Sequence, residues 1–107
     1  MESILITIKK MLGIDKDCDD FDTDLIININ TIINILEQVG IGKPGFVITG
    51  ETETWDDFLD DNKIELVKSY IYLRVKLLFD PPASSSITEC IKSNISELEW
   101  RMSILDR

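Results

Sequence analysis

The chain has 107 residues, with 20 acidic and 11 basic side chains and a formal net charge of −9. That length holds one domain around one core, and that charge balance repels free nucleic acid, which argues against a stable basic groove for DNA. Histidine is absent, which removes the commonest general base and the commonest metal ligand together.

The two cysteines, Cys18 and Cys90, are far apart and form neither a zinc-site spacing nor a disulfide framework. Free thiols in a reducing compartment are the expected state, and no cofactor is expected. No segment reaches the roughly 18 consecutive apolar residues of a membrane span. In MESILITIKKMLG the lysines follow the apolar residues, unlike a signal peptide. An intracellular, soluble protein with a single domain over 1–107 is expected.

The first predicted helix runs from about Ser3 to Leu12 and stops at Gly13. Ile4, Leu5, Ile8, Met11 and Leu12 make its apolar side, with Thr7, Lys9 and Lys10 on the other and Ile6 among them. An aspartate-rich linker, IDKDCDDFDTD, follows. The second helix starts near Asp22 or Thr23 and closes at Val39-Gly40. Leu25, Ile26, Ile29, Ile32, Ile33, Leu36 and Val39 form its core stripe, and Asn30, Asn34, Glu37 and Gln38 its far face. The alternation in IININTIINI also suits a pair of strands, but the long 3.6-residue period favours helix.

Residues 40–54 are punctuated by Gly40, Gly42, Pro44, Gly45 and Gly50. Within them Phe46-Val47-Ile48-Thr49 reads as a short extended stretch, whose unpaired backbone would be open to a neighbouring chain. Thr54 with Asp57 suggests the cap of a short helix carrying Trp55, Phe58 and Leu59.

The next segment, LVKSYIYLRVKLLFDPP, is the most informative. It predicts a helix from about Lys63 to Phe79, apolar on most of its circumference and stopped firmly by Asp80-Pro81-Pro82. A helix apolar nearly all round must be surrounded by other elements, so it is the expected central post. At about 100° per residue, Arg74 falls between the stripe Ile64, Val67, Ile71, Val75, Leu78 and the stripe Leu66, Tyr70, Leu73, Leu77. It needs a carboxylate partner or a surface where another chain docks. Ser86 to Glu89 has the capping-box pattern for the last helix, with the core stripe Ile87, Ile91, Ile95, Leu98, Met102 and Leu105. Trp100 and Ile104 fall on its polar side, as a docking patch or beneath the loop of residues 40–54. The predicted fold is all-α: a small bundle of about four to five helices with one irregular loop carrying a short extended segment.

No catalytic constellation emerges, and the chain is not expected to be an enzyme. Asp15, Asp17 and Asp19 have the spacing that opens a calcium loop, but Asp20 replaces its turn glycine and Ile26 its bidentate glutamate. The acids Glu51, Glu53, Asp56, Asp57, Asp60 and Asp61 surround Trp55 in a polar segment where water screens them. There is neither a phosphate loop nor a nucleophile elbow.

Five blocks carry a family resemblance across nearly the whole chain: KKMLGI, FDTDLIININTIINILEQVGIG, GFVITGETETWDDFL, VKSYIYLRVKLLFDPP and ELEWRM. Together they resemble the small head–tail connector, or head-completion adaptor, proteins of long-tailed bacteriophages and prophages of low-GC Gram-positive bacteria. The TW-DFL and YIYLRVKLLFDPP blocks are the specific ones. The resemblance implies a structural subunit of the virion neck, present in the host cytoplasm during assembly. It also implies a ring of about twelve copies beneath the portal protein that extends the DNA channel and receives the next neck or tail-completion protein. The expected interface residues are then Phe46, Val47, Ile48, Arg74, Trp100 and Ile104. The six acids of the Trp55 segment are expected to face a channel in which passing DNA is not gripped. The rival reading is an acidic DNA mimic that inhibits a host nucleic-acid enzyme.

Overall fold

The computed structural model describes the backbone of residues 2–105 and their side chains apart from those at 61, 62, 104 and 105. Five helices follow one another: α1 (Ile4–Leu12), α2 (Asp22–Gln38), α3 (Trp55–Phe58), α4 (Asp61–Phe79) and α5 (Ser85–Leu105). The architecture is the all-α bundle that the periodicities predict. Among the described residues the one β contact is an isolated antiparallel bridge between Ser3 and Thr54. The molecule is a flat plate of 38 × 36 × 20 Å.

The central post is α4, which packs against each of the other four helices. Ile64, Val67, Tyr70, Ile71 and Val75 are buried on it, and Leu66, Leu73 and Leu77 are partly covered. The helix ends at Phe79 because the residue before a proline is forced out of the helical region. Leu78 departs from expectation: it belongs to the predicted core stripe yet is 57% exposed. It stands between the start of α2 and α5, on a strip of α4 that neither helix covers.

Helix α1 contains the largest departure. Thr7 and Lys9, expected on the polar side, are buried, while Met11, expected in the core, is exposed. Each buried polar group has a partner. The Thr7 hydroxyl donates to the Ser3 carbonyl at 2.7 Å and accepts from the Trp55 indole N–H at 3.1 Å. Lys9 Nζ donates to the Lys16 carbonyl at 3.1 Å and stands 2.8 Å from Asp22 Oδ1. That buried oxygen accepts no hydrogen bond among the described residues, so the ammonium charge is its compensation. Gly13, at φ +81°, lets the chain turn back over the helix. The bonds Gly13 N–H to Lys10 O and Ile14 N–H to Lys9 O close the end as a Schellman motif. The linker therefore lies over Lys9 and covers the side of α1 that a two-sided helix would show to water.

Four further expectations are corrected. Val39, placed in the core stripe of α2, is 58% exposed, because the last turn of α2 borders a cleft. Ile87, placed in the core stripe of α5, is also exposed. The predicted Ser86 box gives way to an earlier start, where Ser84 Oγ accepts from the Ile87 N–H at 3.4 Å and the Ser84 carbonyl from the Thr88 N–H at 3.1 Å. Asp22 is the first residue of α2, and its carboxylate serves Lys9 in place of a cap. The predicted core position Leu105 lies outside the described side chains.

Removing one member of a buried charge pair strands the other. Lys9→Met is expected to lower the unfolding free energy by about 3 kcal/mol, measured as a lower urea midpoint at unchanged slope. Adding Asp22→Asn should recover part of the loss. An unchanged midpoint in the single variant would show that the pair is not what holds the linker to α1.

Candidate interaction surface

Within the loop of residues 40–54, the stretch 46–49 has no strand partner among the described residues and is held instead by side chains. Asn30 of α2 pairs with both main-chain groups of Ile48, its Oδ1 accepting from the Ile48 N–H at 2.8 Å and its Nδ2 donating to the Ile48 carbonyl at 2.9 Å. An amide thus stands in for a neighbouring strand, and Asn30, expected on a solvent face, is half-buried by this role. Phe46 stacks on Phe58 with ring centroids 4.9 Å apart, and Ile48 is buried. Gly42 has φ +82°, and a Cβ there would run into the Phe58 ring, so this turn requires glycine. Of the expected trio Phe46, Val47 and Ile48, only Val47 is widely exposed, at 54%.

The acids beyond this loop divide by task. Glu53 accepts from the Thr49 hydroxyl at 2.7 Å and from the Gly50 N–H at 3.3 Å, and the Thr49 hydrogen bond leads the causes that hold its carboxyl below the usual range. Asp57 Oδ2 accepts from the Thr54 N–H at 3.1 Å, which caps α3 and lowers its pKa. Asp56 accepts from the Thr54 hydroxyl at 2.9 Å. Glu51, Asp56, Asp57 and Asp60 are exposed, and Glu53 is half-buried. The Asp61 side chain lies outside the described residues.

Arg74 finds its carboxylate within the chain. Its Nη1 lies 3.3 Å from the Tyr70 hydroxyl and 3.5 Å from Glu99 Oε2, with the guanidinium over the Tyr70 ring. The Tyr70 hydroxyl donates to the same Glu99 oxygen at 2.9 Å. Burial, reinforced by that carboxylate, pushes the phenol up to about 12. Glu99 is 25 residues from Arg74 along the chain, so no local spacing announces the pair.

This network lies in a groove. Helices α2 and α5 both pack on α4, with at most a marginal contact between them. The space between them is a cleft of about 350 Å³ lined by Ile35, Val39, Ile41, Tyr70, Glu99 and Met102 among others. Glu99 also borders a second cleft with Arg74, Leu77 and Leu78, and Leu78 a third with Phe21, Ile27 and Phe79. Phe21, Ile27 and Leu78 are 42–58% exposed, and nothing in the sequence pattern singled out Phe21 or Ile27. On the outer side of α5, Trp100 is 65% exposed, so the loop of residues 40–54 does not cover it. The Ile104 side chain lies outside the described residues. No helix among those described is long and apolar enough to cross a membrane.

The described residues form a helical plate with open apolar clefts, surfaces of the kind that pack against other proteins. The chain belongs to the phage connector protein family, whose sequence pattern matches residues 4–106. That membership agrees with the likeness read from its sequence blocks and supports a structural role in the phage neck. No curated protein matches the chain, and no solved structure does.

Two measurements check this surface. Asn30→Ala should cost about 1–3 kcal/mol and remove hydrogen-exchange protection at the Ile48 amide while leaving the α2 amides protected. Equal protection in both proteins would mean that Asn30 does not hold the loop. Tyr70 has a raised pKa, so its neutral phenol stabilises the fold fully below pH 10.0, and that contribution is lost as pH climbs towards about 12. The stability difference between wild type and Tyr70→Phe should narrow across that window, and a constant difference would show that the phenol titrates freely.

Proposed function

We propose that the protein is one subunit of an adaptor ring that docks beneath the portal, extends the DNA channel and joins the capsid to the tail. The observation that carries this reading is the family match over residues 4–106. The physical features agree with it. A net charge of −9 suits a conduit that must let DNA slide without gripping it. The exposed carboxylates of Glu51, Asp56, Asp57 and Asp60 are the candidates for its lining. Val47 and Trp100 remain candidates for contacts with neighbours, while Arg74, Phe46 and Ile48 first serve the subunit's own packing.

A ring of about twelve copies would follow the portal's symmetry, since a head-to-tail contact closes only at the right rotation. The DNA-mimic reading is less well supported. A mimic needs free carboxylates at phosphate-like spacing, whereas Glu53, Asp56 and Asp57 are engaged in local hydrogen bonds.

Mixing the purified protein with the portal of the same phage and imaging the product by electron microscopy tests the proposal. A ring is expected on the portal face that receives the tail. Portals that stay bare, or decoration elsewhere on the portal, would overturn it.

A further inference from the structure

We infer that Trp100 of one copy seats in the α2–α5 cleft of the next, joining identical chains head to tail. This rests on the ring reading and names the contact that would build it. The two halves of the contact lie on different faces of one chain. Trp100 is 65% exposed and stands two positions before Met102, a buried residue, about 200° away around α5. It therefore projects away from the core, and it is not one of the residues that line the cleft. The cleft, of about 350 Å³, is at the lower end of the roughly 300–1,000 Å³ range that holds compact organic groups.

Chemistry matches as well as shape. An indole seeks an apolar bed with an acceptor for its N–H. Ile35, Val39, Ile41 and Met102 supply the bed, and Glu99 and Ser103 supply acceptors at its edge. Charge is complementary too. The cleft lies against the C-terminal turn of α2, where the helix dipole is negative and no basic residue offsets it. Glu99, with its side chain 47% exposed, adds a carboxylate. The knob brings an indole N–H and, next to it, the 57%-exposed Arg101, which in the single chain is paired with Glu97 at 2.7 Å and would have to share that pairing with the neighbour's carboxylate. Because the knob and the cleft are different residues, each copy has one of each to offer, which allows the contact to pass from copy to copy around a ring.

Two surface variants test this on the portal-templated ring. Trp100→Ala removes the knob, and Val39→Arg places a charge in the mouth of the cleft at an exposed position. Both should keep the wild-type circular dichroism and melting temperature. Each should raise the protein concentration needed for half-maximal ring formation roughly thirtyfold. Mixed without portal at high concentration, the two variants should pair, because one retains the knob and the other the cleft, and stop at dimers in native mass spectrometry. Rings of folded Trp100→Ala that form as readily as wild type would overturn the inference. So would normal rings that fail only to recruit the next neck component, since Trp100 would then face a different protein. Failure of the wild-type protein itself to form a ring would instead remove the ring reading, and this contact with it.

Discussion

Helix α4 has more apolar circumference than any single neighbour can cover, and the other elements are arranged around that demand. Val67, Ile71 and Val75 are fully buried, and Tyr70 nearly so. Burying such side chains is worth about 1.5–3 kcal/mol each, so α1, α2, α3 and α5 are all drawn to one axis. Two of those neighbours, α2 and α5, lie on separate flanks. The strip of α4 between them stays open, and the α2–α5 cleft is a direct result.

Polar residues enter the interior where each finds a partner. Lys9 is sealed by the linker that follows Gly13, Asn30 is half-buried against Ile48, and Thr7 accepts from the Trp55 indole of α3. In the first two cases a loop has backbone groups to satisfy, and a polar side chain on a helix satisfies them. The same pairing lets the loop pack apolar residues such as Phe46 inward without a sheet to support it. A small domain can in this way bury chain that has no secondary structure of its own.

For a phage connector subunit, this division of surfaces has a consequence. The groups that look most like binding residues in the sequence, Arg74 and several loop acids, are occupied within the chain. Apolar side chains around the clefts and on the outer face of α5 are what remain available. In the proposed ring such contacts would draw on the burial of Trp and aliphatic surface, which salt does not screen, while the net negative charge would keep unassembled copies apart. Charge and greasy surface then have separate tasks.

Much of the fold is legible in the residues alone. The five helices, the Gly13 stop, the Thr54–Asp57 cap and the proline stop after Phe79 all depend on neighbours within a few positions, where backbone sterics and helix periodicity operate. The central place of α4 follows from its own all-round apolarity. The candidate surface was legible in part: Trp100 stands out by pattern, but Phe21, Ile27 and Val39 do not. A stripe shows which residues are apolar but not where a neighbouring helix ends. The chain order of elements, their capping and the need to surround α4 were thus determined by the sequence itself. Which polar groups are buried, which carboxylate serves Arg74 and where α4 is left bare were decided only by tertiary packing. Those outcomes depend on groups tens of residues apart meeting across irregular chain, and no local period encodes such meetings.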